Sequence, residues 1–111
     1  MTDIRHLPEL YQAEWCPSSR QVRTRLTELQ MDVVMRQVEP DADQRSTMRD
    51  QTDNDSIPTL VLADGEKHVG TGEILKYLDS TWRVSEPASV AAHRDKAERV
   101  RTEAEKQGHS A

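Results

Sequence analysis

Apolar positions come in short clustered runs separated by stretches of helical spacing, and the spacing sets out the elements in order. Leu10-Tyr11-Gln12-Ala13 follows Pro8 as a short strand and stops at Glu14-Trp15-Cys16-Pro17, where Pro17 suits the first turn of a helix. From Pro17 to about Gln30, Val22, Leu26 and Leu29 recur at i, i+4 and i+7 with Arg20, Arg23 and Arg25 between them, which predicts an amphipathic helix. Val33 to Val38 is a β-branched run closed by Glu39-Pro40, a second strand expected to pair parallel with the first. Asp41 is placed to cap a helix to about Asp50; only Ala42 and Met48 are apolar there, so it should be lightly anchored.

Thr59 to Leu62 and Glu66 to Val69 read as two strands around Asp64-Gly65, a pair that favours a tight hairpin with positive φ at both central residues. Thr71 then opens a helix with Ile74, Leu75, Leu78 and Trp82 on one face. Strand, helix, strand, helix, strand, strand, helix specifies an α/β domain on four strands. Composition shifts after Arg83. Ser85-Glu86-Pro87 looks like a helix start, and the following Ala-, Glu-, Arg- and Lys-rich segment carries only Val90, Ala97, Val100 and Ala104 as a thin apolar seam. Pairs such as Asp95 with Arg99 and Arg101 with Glu105 would support it as a mobile, charged helical tail. A solvated helix, docking on the domain, and homodimerisation through the tail are the alternatives. The expected division is a domain at residues 1–83 and a tail at 84–111.

Charge and composition narrow the functional classes. A net charge of −5, with 15 Lys and Arg against 20 Asp and Glu, argues against nucleic-acid binding, which needs a basic stripe. No apolar run is long enough to span a membrane, and the N-terminal residues lack the basic-then-apolar order of a signal peptide, so a cytoplasmic protein is expected. The four histidines fall at no recurring ligand spacing, and no metal site is expected. One cysteine excludes an internal disulfide and leaves three roles for Cys16: a buried spectator, a reactive thiol, or an intermolecular partner. At a helix start, backbone N–H groups and the helix dipole favour the thiolate, with Arg20 one turn further on and Ser18 and Ser19 as hydroxyl donors.

Leu10-Tyr11, Trp15-Cys16-Pro17-Ser18-Ser19, Ser56-Ile57-Pro58-Thr59-Leu60-Val61 and Gly70-Thr71-Gly72-Glu73-Ile74-Leu75 together resemble the glutaredoxin family and the N-terminal domain of glutathione S-transferases. Residues 54–65 also look like the mycothiol-linked glutaredoxins called mycoredoxins. The resemblance covers Glu9 to Trp82 and implies a thioredoxin fold with a mixed four-stranded sheet, βαβαββα. It implies Cys16 as the catalytic nucleophile and a cis Ile57-Pro58 bond. Trp15, Ser19, Ile57, Pro58, Thr71, Gly72 and Glu73 would then hold a low-molecular-weight thiol, with Glu73 on its ammonium group. Ser19 stands where dithiol members carry a second cysteine, so the implied activity is a monothiol one. In it, glutathione or mycothiol serves as co-substrate with no tightly bound cofactor, and disulfide or mixed-disulfide proteins are the other partners.

The sequence departs from the family at Ala13, where glutaredoxins carry a Lys, and at Asp55 near the expected cis-proline, with Arg45 or Arg49 as replacements for the missing charge. Transferases build their electrophile site largely from a helical C-terminal domain that residues 84–111 are too short to supply. The competing reading is a catalytically inert thioredoxin-fold module for binding or dimerisation.

Overall fold

The computed structural model describes residues 4–82 and 87–106. After a 3₁₀ turn at Ile4–His6, the chain forms β1 (Glu9–Gln12), α1 (Pro17–Glu28), β2 (Val34–Gln37), α2 (Ser46–Thr52), β3 (Thr59–Val61), β4 (Lys67–Val69), α3 (Thr71–Trp82) and α4 (Pro87–Lys106). The strands lie in the order β2-β1-β3-β4. β1 pairs parallel with β2, as the β-α-β connection requires, and antiparallel with β3, which turns back through β4. This is the thioredoxin arrangement, extended by a C-terminal helix.

Alternation along β1 divides the molecule into layers. Leu10 points to one face, where with Leu60 it meets Val22, Leu26 and Leu29 of the α1 segment and Ile74 and Leu78 of α3, all buried. Tyr11 points to the other face, where its hydroxyl donates to Gln51 of α2 at 3.0 Å. The spacing on α1 and α3 thus fixes which helices share the larger core. Leu75 is half-buried, and the Trp82 side chain lies outside what is described.

Three local expectations are corrected. The stretch from Asp41 is a 3₁₀ turn at Ala42–Gln44 followed by the short α2, with Arg45 between them. Ala42 is exposed. The anchors are Met48 and the buried Arg45, whose guanidinium donates to the carbonyls of Glu39 at 2.8 Å, Pro40 at 2.9 Å and Asp55 at 2.9 Å. A charged side chain occupies this buried position because three backbone acceptors surround it. The β3–β4 connection is also longer than a two-residue turn: Gly65 N–H donates to Leu62 O at 2.9 Å, and Leu62 N–H to Glu66 O at 2.8 Å. Only Gly65 has positive φ, at 93°, as in three-residue hairpin loops. Finally, Arg101 pairs with Glu98 at i−3 in place of Glu105, whereas Asp95 and Arg99 pair as expected at 3.0 Å.

α4 docks by its first turns. Val90 packs against the core, and Ser89 donates its hydroxyl to the Glu28 carbonyl at 2.9 Å, satisfying an acceptor at the end of α1. Arg94 makes a two-pronged contact to the Glu28 carboxylate at 2.9 and 3.2 Å, and Arg25 approaches the same group at 3.3 Å. Val100 further along is 56% exposed. The expected boundary at residue 83, like the helix-start residues Ser85 and Glu86, falls outside the described residues.

Replacing Arg45 with Met strips three backbone carbonyls of their buried donor at similar side-chain volume. At about 1 kcal/mol per lost hydrogen bond, the variant should lose about 2–3 kcal/mol in urea denaturation. A loss under about 0.5 kcal/mol would show that the carbonyls are satisfied without Arg45.

Candidate active site

The chain leaves β1 at Gln12 and turns through Glu14 and Trp15, with Cys16 N–H donating to Ala13 O at 3.1 Å. Cys16 is the N-cap of α1, in extended conformation at φ −84° and ψ 117°, and Pro17 follows at the first helical position. Its Sγ accepts from Ser19 N–H at 3.4 Å, the bond that a Ser or Asp N-cap ordinarily makes through oxygen. The sulfur therefore sits where helix N–H groups are unsatisfied and the helix dipole is positive, which favours negative charge.

Two side chains on the same face complete this setting. Ser19 is fully buried, and its Oγ accepts from Ala13 N–H at 3.4 Å, leaving the hydroxyl proton for the sulfur. One turn on, Arg23 is clamped by Gln12 Oε1 at 2.6 Å, Ala13 O at 3.3 Å and Glu14 Oε1 at 3.2 Å, while Gln12 is itself held to Gln37 at 3.1 Å. Partial burial pushes the Cys16 thiol up. The Ser19 hydroxyl, the N–H groups of Ser19 and Ser18, and the positive charge of Arg23 together outweigh it and hold the thiol below its usual range. Arg20, the cation expected from the sequence, is exposed and is not among these groups; Arg23 takes the part. Cys16, Ser19 and Arg23 lie at i, i+3 and i+7 on one helical face, but Arg20 at i+4 fits the same spacing, so the sequence alone does not choose between the two arginines.

The other expected site residues meet at the same end of the sheet. Antiparallel register opposes Tyr11 to Thr59, so the Pro58 end of β3 lies beside the end of β1 that leads into Cys16. Ile57-Pro58 is cis, with Pro58 buried and Ile57 half-buried. Gly70, at φ 89°, donates its N–H to Pro58 O at 2.9 Å, which brings the start of α3 alongside. Thr71 closes the ring by donating its hydroxyl to Ser18 O at 3.2 Å. Gly72 and Glu73 are exposed on the first turn of α3, and the Glu73 side chain makes no hydrogen bond or ion pair among the described residues. Trp15 is 63% exposed beside the cysteine.

The loop before Pro58 is braced from behind. Ser56 N–H donates to Asn54 Oδ1 at 2.8 Å and Thr59 Oγ1 to Ser56 O at 2.6 Å, while Arg45 holds the Asp55 carbonyl and Arg49 the Asp55 carboxylate at 3.1 Å. Arg45 and Arg49 are thus committed to this loop and do not replace the missing lysine charge. Ala13, at that lysine's position, is itself buried. Among the described residues no three His, Cys, Asp or Glu side chains are grouped to hold a metal ion, and no helix is long and apolar enough to cross a membrane.

A helix-capping cysteine and a cis-proline loop at one end of a β2-β1-β3-β4 sheet define a thioredoxin-like domain. The chain belongs to the glutathione S-transferase N-terminal-domain family, whose model matches residues 10–86. Solved structures agree on the fold: a glutathione S-transferase from Sinorhizobium meliloti 1021 aligns with TM-score 0.64 at 24% identity, covering 75% of this chain and 36% of its own. A second, from Rhodospirillum rubrum F11, aligns with TM-score 0.60 at 25% identity, covering 69% and 34% respectively. The chain therefore spans about a third of the length of these relatives. No curated protein matches it.

The network predicts the direction of two substitutions. Ser19→Ala removes a hydrogen bond to the thiolate and should raise the Cys16 pKa; Arg23→Gln should raise it by a smaller amount, since its charge is the weakest of the lowering groups. Thiolate ultraviolet absorbance across a pH titration reads both. A downward shift in either variant would contradict the assigned network.

Proposed function

We propose that this chain is a monothiol thiol-disulfide oxidoreductase in which Cys16 exchanges with a low-molecular-weight thiol, glutathione or mycothiol, in the reducing cytoplasm. The observation that carries the reading is the Cys16 sulfur at the N-cap of α1, accepting from Ser19 N–H with its pKa held down by Ser19, Ser18 and Arg23. The sulfur in that position is biased toward the thiolate and partly accessible, the two properties that exchange requires. Membership of a glutathione-related family supports a small thiol as the partner.

The Cys16 thiolate attacks the small-thiol sulfur of a mixed disulfide. That S–S bond breaks, a new one forms to Cys16, and the protein substrate leaves as a thiolate that takes a proton from water. A second small thiol, itself ionised, then attacks the adduct and restores the Cys16 thiolate, releasing the small-thiol disulfide. With one cysteine in the chain, the second step has no internal alternative. In this reading Trp15, Ile57, Pro58, Thr71, Gly72 and Glu73 form the arm that holds the small thiol. The exposed backbone of Ile57 pairs with it as an added strand does, the α3 N-terminus receives a carboxylate, and Glu73 receives an ammonium. The partly exposed Asp55 is paired with Arg49 at 3.1 Å, which moderates the acidic rim for either thiol.

A second reading, association through α4, is favoured by the exposure of Val100 on that helix. Turnover separates the two. With a mixed disulfide as substrate and glutathione or mycothiol as reductant, the native chain should turn over and Cys16→Ser should fall to the uncatalysed rate. Equal rates for native protein and Cys16→Ser with both thiols would exclude the oxidoreductase.

A further inference from the structure

Pro17, Gln21, Thr24 and Glu28 form a stripe at i, i+4, i+7 and i+11 on a face of α1 distinct from that of Ser19 and Arg23. This stripe lines a groove of 470 Å³ between α1, Leu75 of α3 and Arg94 of α4, beginning at the residue next to the reactive sulfur. On a chain of net charge −5, the groove gathers Arg20, Arg25 and Arg94 around a single carboxylate, Glu28. Two of those cations are spoken for: Arg94 binds Glu28, and Arg25 lies between Glu28 at 3.3 Å and Asp79 at 3.5 Å. Arg20 alone among the arginines of the described residues makes no side-chain hydrogen bond or ion pair, and it stands about 6 Å along the helix from Cys16. Gln21 and Thr24 add neutral donors, and Leu75 an apolar wall.

We propose that this groove receives the leaving half of the disulfide that Cys16 opens, and that it selects a leaving half carrying a carboxylate or another anion, which pairs with Arg20. The inference rests on the oxidoreductase reading. It adds Arg20, a residue outside the small-thiol arm, as a specificity determinant. When the S–S bond breaks, the leaving sulfur carries the electron pair away, and an anionic group beyond it is held by an uncommitted guanidinium over a partly apolar surface.

Two symmetric disulfide probes read the selection. Dithiobis(nitrobenzoate) carries a carboxylate on each half, dithiodipyridine carries none, and both release a coloured thiol when Cys16 attacks. Because any change in Cys16 ionisation acts on both probes, the ratio of their rates isolates the groove. Arg20→Gln should lower the anionic-to-neutral ratio about fivefold, and Arg20→Glu should lower it further. Arg99→Gln, on the exposed part of α4, should keep the native ratio, which controls for net charge. Thr24→Tyr, which fills the groove midway while leaving Arg20 in place, should also lower the ratio. An unchanged ratio in Arg20→Gln, or a native ratio in Thr24→Tyr, would overturn the groove while leaving the oxidoreductase standing. A folded protein whose Cys16 reacts with neither probe would overturn both.

Discussion

The capping of α1 by a sulfur atom is the interaction on which the rest of the site depends. A helix start leaves its first N–H groups without partners, and the usual remedy is an oxygen from Ser, Thr, Asp or Asn. Here Cys16 Sγ accepts from Ser19 N–H, so satisfying the helix and stabilising a thiolate are one act. A thiolate is the better acceptor of the two protonation states, and the capping position therefore selects the reactive form. Arg23 reinforces it from the same face, held in place by Gln12 and by the backbone of Ala13 at the end of β1.

Sheet topology supplies the second half of the site. Because β3 runs antiparallel to β1, its N-terminal end and the cis-proline before it arrive where β1 releases the chain to Cys16. The hairpin to β4 then returns the start of α3 to the same edge, and the Thr71–Ser18 hydrogen bond ties the two helix N-termini together. Two helix starts beside one loop gather unpaired N–H donors at one edge, and the proposed small thiol would place its carboxylate there. Arg45 stands behind that edge. By donating to the carbonyls of Glu39, Pro40 and Asp55, it fixes the approach to Pro58 without touching the sulfur.

Elements governed by apolar periodicity were legible in the sequence: Val22, Leu26 and Leu29 marked the buried face of α1, and Ile74 and Leu78 that of α3. The Cys16-Pro17 junction was legible because proline and the N-cap obey local rules. Where a polar group does the anchoring, periodicity fell silent. Arg45 looks like any surface arginine in the sequence, and only the three carbonyls brought around it by the fold make it internal. The choice of Arg23 over Arg20 is of the same kind, because it depends on the end of β1 offering acceptors to one face of α1 and none to the other. Docking of α4 was equally hidden, since a buried Glu28 paired with Arg94 comes from opposite ends of the chain.

Folding lowers the Cys16 pKa and so favours its thiolate. The rate of its alkylation against pH, measured on the folded protein and on the same chain in denaturant, tests this most directly. A depressed pKa in the folded state means that the interaction is lost as pH falls through the folded midpoint and is complete above the unfolded one. The account predicts a folded midpoint clearly below the unfolded value of about 8.5. Coincident midpoints, or a thiol that reacts only once the chain unfolds, would contradict it.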